Sequence, residues 1–197
     1  MSGAVTGIFV IITSTMSLIY VTGIAGAGKS AVCNELQSRG YETYEGDDGL
    51  SAFYDASTGE MVARPIDVAE RTTEWRAKHI WKMSKDKLIH LKNKNDEPVF
   101  VCGVASNEDE YLDVFDKVFA LTVDVDTLKQ RINDRDDNSF GKLPHEMDTI
   151  LEWQHGVDDH YRKIGAQMID AKKPLTEMVD EILAEVDHSS HGSTPTT

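Results

Sequence analysis

The chain has 197 residues, enough for one domain with a sizeable core and too few for two full ones. Its formal net charge of −14 speaks against a nucleic-acid or anionic-membrane partner, because phosphate-rich surfaces attract the opposite sign. Two cysteines, Cys33 and Cys102, stand far apart at no metal-binding spacing, which points to reduced thiols in a cytoplasm.

Taken in chain order, Gly7–Thr13 is apolar but only about half a membrane span long, and it lacks a basic segment before it. It reads either as an extra edge strand or, the reading preferred here, as part of a loosely held extension over residues 1–16. The domain then runs from 17 to 187. Leu18–Val21 is an apolar strand, Gly23-Ile24-Ala25-Gly26-Ala27-Gly28-Lys29-Ser30 follows it, and Ala31–Leu36 reads as helix. Strand, glycine loop and helix in this order, with G-x-x-x-x-G-K-[ST] matched throughout, make a P-loop. Glycines allow successive N–H groups to turn inward on a phosphate chain, and the helix N-terminus adds its dipole. Lys29 supplies a point charge to the β- and γ-phosphates, and the Ser30 hydroxyl is a ligand for Mg²⁺. The chain is therefore expected to bind ATP or GTP with Mg²⁺. Cys33, on the helix behind the loop, reads as packing.

Tyr41–Tyr44 alternates like a second strand, and Glu45-Gly46-Asp47-Asp48-Gly49-Leu50 lies at its C-terminal end, where open α/β sheets hold ligands. Residues 55–64 read as a polar loop with Ser57-Thr58-Gly59 as its turn. One helix is expected from Ile66 to about Asn93, with Val68, Thr72, Trp75, His79 and Lys82 along one face. Asp96-Glu97-Pro98 ends it. Val99–Cys102 reads as a strand buried on both faces and Gly103–Asn107 as the loop at its end. After a short acidic helix, Val118–Val123 is another buried strand. Asp126 is the expected cap of a helix over 127–133, followed by a polar lid at about 134–146. One helix is expected from Pro144 to about Lys163, then a strand at Gln167–Asp170, the loop Ala171-Lys172-Lys173-Pro174 and a last helix from Leu175 to Val186. Residues 188–197 read as a disordered tail. Five strands alternating with helices predict an α/β fold of three layers: a five-stranded parallel sheet, helices on both faces and a mobile lid.

The order of P-loop, acidic loop after strand two, glycine after strand three and Arg-x-x-x-Arg before a polar loop resembles the small P-loop kinases. That group includes shikimate kinase, gluconate kinase and the adenylate-kinase-like nucleotide kinases, and the resemblance spans about residues 17–186. The chain is also similar to uncharacterised bacterial P-loop ATPase or kinase proteins through GDDGL, CGxxxN and NxFGK patterns at 46–50, 102–107 and 138–142.

The resemblance implies that Asp47, with Asp48 beside it, holds the acceptor hydroxyl and takes its proton, while Glu45 helps to hold Mg²⁺ through water. An Asx turn before Gly49 is the competing account of both aspartates. Gly103 matches the position where those kinases bring backbone close to the acceptor; Asn107 either binds substrate or caps the helix after it. Arg131 and Arg135, spaced i, i+4, project from one helix face, and the resemblance has them neutralise the transferring phosphoryl group. Surface pairing with Asp134, Asp136 or Asp137 is the alternative. Lys142 is placed to close onto phosphate. Ala31, Lys172 and Pro174 complete the expected nucleotide contacts, and Arg71 and Trp75, with Arg76 nearby, line the expected acceptor pocket. His155, Asp158, Asp159 and His160 do not share one helix face, so a solvated surface fits them better than a metal site.

The expected activity is an ATP-dependent phosphotransferase acting on a small metabolite or a nucleoside or nucleotide, as a monomer or homodimer. The alternative is an NTP-binding regulatory or hydrolytic module without a small acceptor. Against it, such modules carry a Mg²⁺-holding Asp at the end of an apolar strand, whereas Val99–Cys102 ends in Gly103.

Overall fold

The computed structural model describes residues 18–94, 97–136 and 139–191, the side chains of Val68 and of residues 188–191 excepted. The expected extension, the tip of the lid at 137–138 and the end of the tail lie outside that range. Five parallel strands form the main sheet: β1 (Leu18–Gly23), β2 (Glu42–Glu45), β6 (Val99–Cys102), β7 (Lys117–Thr122) and β8 (Gln167–Asp170), in the order β2-β6-β1-β7-β8. β1 lies in the centre, so all six of its residues are buried and its sequence is continuously apolar up to Thr22 and Gly23. Ile19 and Val21 face the core made with Val32, Cys33 and Leu36 of α1 (Lys29–Ser38), Leu128 and Ile132 of α5 (Val125–Asp134), and the last helix, α8 (Leu175–His191). Leu18 and Tyr20 face the opposite core, closed by Leu88 and Leu91 of α3 (Lys85–Lys94) with Tyr111 and Phe115. The three-layer fold expected from the sequence is present.

The stretch expected to be one helix over 66–93 is not one. A second sheet, antiparallel and of order β4-β3-β5, is made by β3 (Ser51–Asp55), β4 (Met61–Val62) and β5 (His79–Met83), with the short helix α2 (Thr73–Lys78) between β4 and β5. Cross-strand aromatic packing decides this. Phe53 lies opposite Trp81 with ring centroids 4.7 Å apart, and Trp75 of α2 packs 4.8 Å from the same Phe53 ring. The Asp55 carboxylate closes the β3–β4 turn by accepting from the backbone N–H groups of Ser57 and Thr58, and the Ser57 hydroxyl leads in pulling its pKa down to about 2.

Three further boundaries differ. The N-cap of α5 is Asp124, which accepts from the Thr127 N–H, and Asp126 sits in the first turn instead. The expected helix over 144–163 is two, α6 (Pro144–Gln154) and α7 (Val157–Lys163), parted at Gly156, whose φ of +81° an L residue rarely adopts. The last helix continues five residues beyond Val186 to His191, with α4 (Glu108–Tyr111) the short acidic helix expected after β6.

Candidate active site

The C-terminal ends of β1, β2 and β6 meet in one cleft. Leaving β1, the chain turns through Gly23, Gly26 and Gly28, whose φ values of +148°, +85° and +103° belong to glycine. Side chains at Gly23 and Gly26 would also collide with Leu121 and Ile132, so the loop is held against β7 and α5. The Lys29 ammonium curls into this loop and donates to the carbonyls of Gly23 (2.7 Å) and Ile24 (3.0 Å). Desolvation there pulls its pKa down to about 8; Asp47 opposes the shift and Arg135 adds to it. The Ser30 hydroxyl donates to the Glu45 carboxylate at 3.3 Å on an exposed surface. A hydroxyl beside a carboxylate is the donor set that suits Mg²⁺ held jointly with phosphate oxygens, so both residues fit their expected part.

Asp47 and Asp48 are exposed on the wide turn Gly46–Leu50 that joins β2 to β3. Asp47 lies within electrostatic reach of both Lys29 and Arg64. Arg64, in the loop between β4 and α2, is the group that sequence reasoning overlooked. Desolvation holds its pKa below the ordinary value, with Arg71 and Arg76 adding to the effect and Asp47 and Glu146 opposing it. Arg64 is thus within electrostatic reach of two further guanidinium groups and of two carboxylates, Asp47 and Glu146. Arg71 donates to the carbonyls of Pro65 (2.9 Å) and Ile66 (3.3 Å), Trp75 stacks on His79 at 4.3 Å, and Arg76 pairs with Glu146 while its guanidinium lies 4.6 Å over the Phe140 ring. Arg64 precedes a proline in a stretch without periodicity, so only charge marked it in the sequence.

Other residues occupy different posts from those expected. Asn107 stands at the N-cap position of α4 without a side-chain cap bond; it is 8% exposed and grips the Met83 peptide, accepting from its N–H at 2.9 Å and donating to its carbonyl at 3.0 Å. Gly103 packs its backbone against Gly46, where a Cβ would come within 3.1 Å of the Gly46 Cα, so its glycine serves that close approach. Arg131 donates to the carbonyls of Ala27 (3.1 Å) and Ala171 (2.7 Å), clamping the P-loop to the loop after β8. Of the pair, Arg135 is the one whose charge acts on Lys29. Lys172 pairs with Asp124 at 3.2 Å, and Lys142 lies 3.7 Å from Asp136. Pro174 accepts from the Met178 N–H and opens α8, and Ala31 is an exposed residue of α1. His160, read as solvated, reaches the buried Glu108 at 3.3 Å. Glu108 also accepts from the hydroxyls of Tyr20 (3.2 Å) and Thr22 (3.0 Å), beneath the P-loop. The lid segment is docked: Phe140 packs against the core, and Gly141 is buried with its N–H donated to Glu146. Among the described residues no group of three or more His, Cys, Asp or Glu side chains could hold a metal ion, and no helix is long and apolar enough to cross a membrane.

A protein-family model described as AAA domain matches residues 19–152. No curated protein matches the chain. Among solved structures, the chain is similar to a gluconokinase from Sinorhizobium meliloti 1021, with 22% identity, 88% of this chain and 93% of that one covered, and a TM-score of 0.52. It is likewise similar to a shikimate kinase from Acinetobacter baumannii in complex with shikimate (16% identity, 92% and 97% covered, TM-score 0.59). A third likeness is to a deoxyadenosine kinase from M. mycoides with bound dATP (15% identity, 86% and 99% covered, TM-score 0.50). At these identities the likeness is one of fold, the P-loop fold of small kinases.

Proposed function

The chain belongs to the AAA-domain family, and from that premise we propose that it is an ATP-dependent phosphotransferase whose acceptor is a small, negatively charged, hydroxyl-bearing molecule. The observation that supports the reading is that Asp47 lies within electrostatic reach of both Lys29 and Arg64, and Arg64 in turn within reach of Arg71 and Arg76. The P-loop N–H groups and Lys29 bind the phosphates, and Ser30 and Glu45 are the residues that would hold Mg²⁺, which would neutralise phosphate charge. The acceptor anion sits toward Arg64, which brings its hydroxyl to Asp47. Asp47 orients that hydroxyl and takes its proton as the new P–O bond forms. Lys29 and Arg135 stabilise the charge spread over the transferring group, the term that dominates phosphoryl transfer. Names of the fold relatives support the class: each is a kinase of a small molecule.

The test is ATP turnover with Mg²⁺ against a panel of hydroxy acids, phosphorylated sugars, nucleoside monophosphates, neutral sugars and nucleosides. Stimulation confined to anionic members is expected. A rate that no acceptor alters would favour a hydrolytic or regulatory module, and a neutral acceptor would place the arginines outside recognition.

A further inference from the structure

The first turn of α6 contains a buried carboxylate that none of the steps above uses. Glu146, the third residue of α6, is 1% exposed, and burying a charge so completely is tolerated only where each oxygen finds a partner. Its two oxygens serve different parts of the molecule. One pairs with Arg76 on α2, and the other accepts the Gly141 N–H at 2.8 Å. The turn that contains Gly141 is fixed in place: a Cβ there would lie 2.7 Å from Ile150 and 3.0 Å from Ile132. Phe140 in the same turn lies under the Arg76 guanidinium, and its carbonyl accepts from Arg135. Arg135 in turn lies within electrostatic reach of Lys29. The contacts form one line from the acceptor wall to the phosphate site: Arg76, Glu146, the 140–141 turn, Arg135. The Arg76 Nε is buried without a hydrogen-bond partner, so Glu146, which holds its Nη2, is the carboxylate that fixes this guanidinium.

We propose that Glu146 is a positioning residue that makes the placement of Arg135 depend on Arg76, so that the state of the acceptor wall is transmitted to the arginine over the phosphates. This rests on the kinase reading for the roles of Arg135 and the acceptor wall. An anion that engages Arg76 changes the partner of one Glu146 oxygen, and the turn held by the other oxygen responds. The 139–146 segment and the acceptor helix thereby move as one unit.

The experiment compares the parent with Arg76→Gln, Glu146→Gln and Arg135→Gln. Backbone hydrogen exchange is followed by mass spectrometry, ATP affinity is measured, and Mg·ATP turnover is measured with water as acceptor. Arg76 lies about 65 residues from the turn in sequence, yet in Arg76→Gln exchange over 139–146 should quicken about tenfold or more while β1 and β7 stay protected. Turnover should fall about tenfold in Arg76→Gln and Glu146→Gln with ATP affinity within about twofold, and adding Arg135→Gln to either should lower it no further. Unchanged exchange over 139–146 in both Arg76→Gln and Glu146→Gln overturns the coupling. Exchange that quickens equally through β1 and β7 also overturns it, since that marks a merely structural pair. If the segment opens while turnover holds, transmission to Arg135 is overturned; if Arg135→Gln alone also leaves turnover intact, the kinase reading of Arg135 falls with it.

Discussion

On the nucleotide side of the cleft most of the functional groups lie in a single stretch, Gly23 to Ser30, at the end of the fully buried β1, joined by Glu45 on the edge strand β2 and Arg135 at the end of α5. On the acceptor side they come from positions 47, 64, 71, 76 and 146, in turns and loops around a three-stranded antiparallel sheet of mostly half-buried residues, on the six-residue α2 and in the first turn of α6. The first region is held by sheet packing, the second by side chains reaching for backbone and for each other. Phosphate is the same in every nucleotide, so a local backbone device suffices to bind it. An acceptor has its own shape, and the groups that fit it are assembled from separate segments on a scaffold with little core.

The largest effect expected is on the nucleotide side. Lys29→Ala removes a group whose contacts are to loop carbonyls and whose proposed role is toward phosphate, so turnover should fall on the order of a thousandfold while the melting temperature stays within a few degrees. Turnover and thermal melts of the purified variant decide it; a folded and active Lys29→Ala would erase the distinction between the two sides.

The acceptor side should fail through its scaffold. Asn107→Ala leaves the Met83 N–H and carbonyl buried without partners, at about 1–3 kcal/mol for each group. Denaturant unfolding should register that loss, and in the folded fraction acceptor-dependent turnover should suffer more than ATP affinity. Equal losses in both would mean that β5 supports the whole cleft.

Two glycines compare the regions directly. Gly141→Ala meets Ile150 and Ile132 at once, adding about 1–3 kcal/mol of overpacking to a backbone term of ~1–2 kcal/mol. Gly59→Ala, in the β3–β4 turn, has a similar φ of +73° but open space, so only the backbone term applies. Chemical unfolding of both should show the larger loss for Gly141→Ala.

The smallest effect is on pH. The Lys29 pKa of about 8 lies below the ordinary lysine value of 10.5, so the unfolded chain binds the extra proton between the two. The free protein is thus burdened by this charge below about pH 8 and gains stability as pH rises toward 10.5. Phosphate requires the charged form, so ATP affinity should weaken by up to about tenfold per pH unit above 8. Titrations at pH 7.5 and 9 should show the drop, and Lys29→Met should lack it.

The same contrast explains how much was legible in the sequence. Leu18–Val21 and Val99–Cys102 announce themselves because strands buried on both faces must be apolar throughout. His79–Met83 mixes polar and apolar residues, four of the five only half-buried, and Val68, Thr72, Trp75, His79 and Lys82 fall at helical spacing as well. Periodicity could not separate the two, and the Phe53–Trp81 pairing that decides it is a tertiary event. The motif named Lys29 and Ser30. Nothing in the sequence named Arg64 or Glu146, because their roles are defined only by partners far along the chain. A Glu at the third position of a helix begun by Pro144 suggests a local cap, whereas this one reaches Gly141 and Arg76.

The central claim is that Asp47 joins the two sides, and Asp47→Asn tests it most directly, measured beside Asp48→Asn with the acceptor that gives the strongest stimulation. Asp47→Asn preserves size while removing charge and the ability to take a proton. Acceptor-dependent turnover should fall on the order of a hundredfold, with ATP affinity within about twofold and a smaller loss in Asp48→Asn. Turnover equal to the parent, or a greater loss in Asp48→Asn, would contradict the account.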